Sequence, residues 1–287
     1  MGKTKSGKGN KTALHFFLLI IVVGIVVFNQ VQINSLAELA SGGKSVNPIK
    51  KSFSKATSLF SGEKGGKIIG PMINPDGKTT KLVEYPTISE TPPPKDTGDP
   101  TQDAIKYIIP TGTPFYVESG PGSEKIQGAT FDDPIASQKI WASLLGSKRF
   151  GTENTIELTA EEEQRWKKIT GSFTCDYCCG GPNSVTIINR CGCAHSYGWQ
   201  GMAKFFIKYY PEKTDEEIMG EMTKWKGLWY PQGMIQDYLV YTGQASPKTL
   251  RHGGSVGIIA QFADNGAGGE EASTADLGNL PSMVGGC

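Results

Sequence analysis

Five of the chain's six cysteines fall between Cys175 and Cys193. They stand in two short runs, Cys175-Asp176-Tyr177-Cys178-Cys179-Gly180-Gly181 and Cys191-Gly192-Cys193-Ala194-His195. A Cys-x-x-Cys turn presents two thiolates to one ion, and Gly180, Gly181 and Gly192 allow the positive-φ backbone that such knuckles use. The second pair stands where a helix is expected to begin, and the helix dipole lowers the pKa of a thiol placed there. Cys175, Cys178, Cys191 and Cys193 therefore make a tetrahedral S4 candidate, with Cys179 and His195 as alternate ligands. Zinc is the first occupant to expect, and copper(I) or an iron–sulfur cluster the next. One residue separates Cys191 from Cys193 where the common zinc pattern has two. Four thiolates leave no open position for a water nucleophile, so a structural or carrier role is favoured over hydrolysis.

Two other uses of the same thiols stay open. A domain outside the membrane meets oxidising conditions, under which the cysteines would serve as disulfides of an interaction domain. Adjacent Cys178 and Cys179 rarely bond each other, so they would reach Cys191 and Cys193 and leave Cys175 odd, with Cys287 free or paired between chains. A redox-active dithiol is the third use. No Walker loop, Rossmann fingerprint, HExxH or nucleophile elbow appears. The acids at 161–163 and 215–217 sit in first helical turns, where capping accounts for them. Whether the protein is an enzyme stays undecided at this stage.

The elements that must position the thiols follow from pattern. Asp133-Pro134 opens one helix, with Ile140, Trp141, Leu144 and Leu145 as its stripe. Thr159 and Glu162 form a capping box for a second, and Thr214 and Glu217 another. From His195, the residues Trp199, Met202, Ala203, Phe206 and Tyr210 recur at helical spacing just after the second cysteine pair. These aromatic stripes are read as core. The expected class is mainly α: a small Cys-rich helical domain over residues 104–244, with a long flexible linker over 42–103 and a Gly-rich disordered tail over 245–287. Within the linker a short strand is possible around 81–85. The 37 glycines and 17 prolines are concentrated in these flanks.

Residues 1–12 form a basic flank and run into an apolar stretch whose only polar member over 13–28 is His15. Residues 13–41 read as a single transmembrane anchor helix and its extension. The lysine flank predicts a cytoplasmic N-terminus and an extracytoplasmic C-terminal domain. The competing reading, a cleaved signal peptide, lacks a well-spaced small-x-small site. The formal charge is +1, from 29 basic against 28 acidic residues, so no global field marks nucleic acid as a partner, and a protein partner is left unspecified.

The runs CDYCCGGP and CGCAHSYGWQGMAKFFIKYYPEKTDEEIMGEMTKWKGLWYP resemble a group of membrane-anchored prokaryotic proteins, archaeal or from candidate-phylum bacteria, carrying CxYCCG and CGCAHS motifs. More distantly, a cysteine motif at a helix start followed by a second helix with an acidic Asp-Glu-Glu-Ile opening is similar to the helical module of exported PCYCGC-motif proteins. It is similar also to the thiol oxidoreductases of cytochrome c maturation. The last likeness implies dithiol exchange. Those oxidoreductases place Cys-x-x-Cys directly before the long helix, whereas this chain has Cys191-Gly192-Cys193 there and carries its anchor at the other end.

Overall fold

The structure, a computed structural model, describes residues 65–181, 183–245, 277 and 280–286. The basic flank, the expected anchor over 13–41 and the first part of the expected linker lie outside them. Among the described residues no helix is long and apolar enough to cross a membrane. These residues form a mainly helical body of seven helices and one two-stranded sheet.

A hairpin comes first, β1 (Lys67–Ile73) against β2 (Thr80–Pro86), antiparallel with Gly70 opposite Val83. Its turn is closed by Asp76, whose side chain accepts from the backbone N–H groups of Lys78 and Thr79 at 2.8 and 3.0 Å. Then follow α1 (Pro100–Ile108), α2 (Phe115–Glu118), α3 (Pro134–Ser143), α4 (Ala160–Ser172), α5 (Ala194–Tyr209), α6 (Asp215–Trp229) and α7 (Pro231–Tyr241). The capping signals are realised as the sequence implies. Asp99 and Asp133 cap α1 and α3 with proline next in line, and reciprocal capping boxes open α4 at Thr159 and α6 at Thr214.

α6 is the centre of the fold. Every residue from Ile218 to Trp229 is buried, so the helix has no solvent face. α5 packs along it, α3 and α4 cover α5, and the hairpin, α1 and α7 close the remaining sides. Trp141, Trp199, Trp225 and Trp229 are all fully buried and meet one another and Phe205 at ring separations of 5.3–6.0 Å. Close approach depends on a small residue: a Cβ at Gly220 would lie 1.8 Å from the Pro86 carbonyl oxygen.

Two expectations need correction. From residue 65 onward the segment expected to be a flexible linker is folded, because Ile68, Ile69, Tyr85 and Ile88 supply buried anchors against α6. Pro71 and Gly70 disguise β1 in the sequence. The described end of the tail is also packed. Leu277 is buried, Leu280 and Met283 lie against the core, and the Val284 N–H donates to the Trp229 carbonyl at 2.8 Å. Its apolar residues are few, but they are spaced to reach the junction of α6 and α7.

Candidate metal centre

The first cysteine run follows α4. Residues 173–175 lie beside 186–188, joined by hydrogen bonds from the Cys175 N–H to the Thr186 carbonyl at 2.6 Å and from the Ile188 N–H to the Phe173 carbonyl at 3.0 Å. Beyond this the chain turns tightly, and the Cys175 carbonyl accepts from the N–H groups of Cys179 and Gly180 at 3.3 and 3.1 Å. The turn puts Tyr177 in the left-handed region, at φ 68°. A non-glycine residue held there costs on the order of 1 kcal/mol or more, so its surroundings must impose it. They do: the phenol donates to the Asp237 carboxylate of α7, and the ring fills the space that a side chain at Gly233 would take.

The second run reaches the cluster from the opposite side. A 3-10 turn, Ile188–Arg190, delivers Cys191, and Cys193 is the N-cap of α5, its sulfur accepting from the Ser196 N–H at 3.3 Å. The chain thus fixes Cys193 by the start of the longest helix among the described residues and Cys175 by a two-stranded ladder.

Among the five described cysteines no pair is at disulfide bonding distance. Cys175 and Cys193 are buried, Cys178 and Cys191 half-buried, and Cys179 exposed. Sulfur separations are 3.9 Å for Cys175 to Cys193, 3.4 Å for Cys179 to Cys191 and 3.6 Å for Cys178 to Cys179. Two trios, Cys175/Cys178/Cys179 and Cys175/Cys191/Cys193, each have their sulfurs within 4.8 Å of one another and could hold a metal ion. With metal–sulfur bonds of about 2.3 Å, the sulfurs around a tetrahedral ion stand about 3.8 Å apart. A disulfide needs about 2.05 Å. The observed spacing is too long for a disulfide and is compatible with coordination.

The thiols do not ionise alike. The hydrogen bond from Cys175 holds the Cys191 thiol down to about 5, against its burial. Cys175, donating among Cys178, Cys191 and Cys193, is raised far above the ordinary thiol range. Burial and the neighbouring Cys191 and Cys178 push Cys179 up to about 12. Sulfurs this close cannot all carry charge together unless a cation separates them.

His195 is placed elsewhere. Its Nδ1 meets the Tyr230 hydroxyl at 2.9 Å and its Nε2 meets the Val284 carbonyl at 2.8 Å. A carbonyl only accepts, so Nε2 carries the proton and Nδ1 accepts from Tyr230. With both nitrogens engaged, and His195 in neither trio, the structure does not bring the imidazole to the thiols.

Two residues with no motif around them support the cluster. Lys226 of α6 is fully buried, donates to the Thr174 carbonyl at 2.9 Å, and sits 4.1 Å from the centre of the Phe173 ring. It brings a positive charge next to the chain entering Cys175. Asp237 holds Tyr177 from α7. A lysine between Trp225 and Trp229 is the only trace of the first in the sequence, and nothing marks the second. Compared with protein families, with curated proteins and with solved structures, the chain has no match in any of the three.

Proposed function

We propose that Cys175, Cys178, Cys191 and Cys193 bind one soft or borderline ion, zinc in the first place, in a structural or carrier site rather than a hydrolytic one. The observation that carries this reading is the convergence of five cysteine sulfurs, in two trios that share Cys175, from two chain segments joined by the ladder between residues 173–175 and 186–188. The buried ammonium of Lys226, on the Thr174 carbonyl one residue before Cys175, is compatible with it, because a tetrathiolate with a divalent ion keeps two negative charges. Chelation separates this reading from disulfide bonding. Full-length protein purified in detergent is expected to contain stoichiometric metal and, once chelated, to yield alkylatable thiols at the named positions. Metal-free protein with those cysteines in disulfides as isolated rules it out.

A second reading rests on one contact. Cys179 is exposed and lies 3.4 Å from the acidified Cys191, the disposition of an attacking pair in thiol–disulfide exchange. A Cys179–Cys191 disulfide that forms and reduces reversibly in a glutathione redox buffer is the result expected of it.

The setting is proposed from the sequence alone: a single N-terminal anchor, residues 13–41, with the thiol-bearing domain extracytoplasmic. Protease added to right-side-out vesicles should then degrade that domain, and its full protection overturns the topology.

A further inference from the structure

The cluster holds five thiols, one more than a tetrahedral ion uses. Cys179 is not a bystander at its edge, because its sulfur is as close to Cys191 and Cys178 as any pair in the cluster. Nor is it a random visitor from a loose loop. Its own N–H is bonded to the Cys175 carbonyl, and its carbonyl accepts from the Thr186 hydroxyl at 2.9 Å, so both faces of its peptide are tied to the ladder.

Five sulfurs divide between two ions in only a few ways. Two separate S4 sites would need eight, and two S4 sites sharing an edge would need six. Two three-coordinate sites sharing one sulfur need five. That is the partition the geometry draws: Cys175/Cys178/Cys179 and Cys175/Cys191/Cys193, with Cys175 common to both. With bonds of about 2.3 Å, as for thiolate–zinc, sulfurs around a trigonal ion stand about 4.0 Å apart. The 3.9 Å from Cys175 to Cys193 matches that spacing, and the 3.6 Å from Cys178 to Cys179 needs a small outward movement of the exposed thiol. A shared thiolate bridging two ions, each otherwise bound by two sulfurs, suits soft monovalent d10 ions, whose preference is for few, polarisable ligands.

We infer that the cluster takes two soft monovalent ions, copper(I) the natural one, each bound by three sulfurs and bridged through Cys175. This rests on the metal-binding reading above and extends it: the same pocket holds one divalent ion with four of its thiols or two monovalent ions with all five. Loading involves no redox change. Each thiol that becomes a ligand gives its proton to solvent, the copper stays monovalent, and the sulfurs remain at the thiolate level. Cys175, buried at the shared corner, is the bridge, and Cys179, exposed, is the entry ligand of its trio.

The test is stoichiometry. Full-length protein is reduced and freed of metal in detergent under anaerobic conditions. It is then titrated with copper(I) against bicinchoninate and, separately, with zinc, and both products are weighed by native mass spectrometry. The expected result is two copper ions per wild-type chain, with about three sulfurs per copper by X-ray absorption, and one zinc. Cys179→Ser is expected to lose one copper and keep its zinc. Cys175→Ser is expected to lose the bridged pair. A wild-type chain that binds one zinc but only one copper overturns the two-ion inference alone, as does a Cys179→Ser chain that still binds two. A chain that binds neither ion overturns the metal-binding reading as well.

Discussion

The buried heart of α6 and the partly buried cysteine cluster are both concentrations of polar chemistry, and they differ in how they are satisfied. In α6, the fully buried Glu221 accepts from the N–H groups of Ile88 and Ser89, the Ser89 hydroxyl and the Tyr116 hydroxyl, at 2.6–3.0 Å. Lys224, one turn on, donates to the Ser89 hydroxyl and the Glu90 carbonyl, and the Trp225 indole donates to Tyr116. Donors from two distant stretches of chain, residues 88–89 and Tyr116, meet each carboxylate oxygen twice. The cluster has no such closure. Its sulfurs meet mainly one another, at 3.4–3.9 Å, and deprotonating several of them would gather negative charge in one place. One region is finished by its own side chains, while the other could be finished by a bound ion.

The largest effect expected from that difference is regional. Structural zinc in small thiolate sites contributes about 10 kcal/mol or more to folding. Chelation should therefore release the 173–193 segment while α6 stays folded. Hydrogen exchange in the loaded and chelated protein is expected to show loss of protection at the Cys175, Gly180 and Ile188 amides and retention along α6. Uniform loss in both regions would merge them into one cooperative unit and dissolve the contrast.

Glu221→Ala should do the reverse. Removing a buried carboxylate strands four donors and leaves Lys224 beside them, which costs about 3–5 kcal/mol. Denaturant titration of the loaded protein is expected to show that loss with metal stoichiometry unchanged. A loss below about 1 kcal/mol would mean that the network is dispensable.

Lys226→Met joins the two regions, since it removes the buried ammonium that α6 sends to the Thr174 carbonyl beside Cys175 and keeps most of the stem. Outer-shell partners of metal sites are worth about 10- to 100-fold in affinity. Competition with a zinc indicator should show a loss in that range and little change in the stability of the metal-free protein. Unaltered affinity would assign Lys226 to packing over Phe173 and Trp199 alone.

What the sequence disclosed follows from how local each signal is. The capping boxes at Thr159 and Thr214, the Asp133-Pro134 start and the cysteine spacing are read within a few residues, and each is present in the fold. The second strand of the hairpin is anticipated around 81–85, but its first strand and its folding against the core are not, because its anchors face α6, more than a hundred residues away, and Pro71 sits in β1. The buried charges of α6 were invisible for the same reason. Glu221 and Lys224 look like solvent-facing residues of an amphipathic helix until the 88–90 segment covers them. The reading of His195 as an alternate ligand rests on its position two residues past Cys193, which says nothing about the Val284 carbonyl that its ring meets in the fold.

The smallest effect concerns the helix start that opens the self-satisfied region. Thr214 accepts from the Glu217 N–H at 3.1 Å, and Glu217 accepts from the Thr214 N–H at 2.8 Å, so two otherwise unpaired donors are met reciprocally. Thr214→Ala removes one of the two bonds and leaves the other, and such caps are worth about 1 kcal/mol. Thermal melts of loaded and chelated protein should shift downward by similar amounts, because this cap stabilises α6 without touching the sulfurs. A shift confined to the loaded form would couple the start of α6 to the cluster. The boundary between the region closed by its own side chains and the one closed by a ligand would then have to be drawn inside the helix rather than at Lys226.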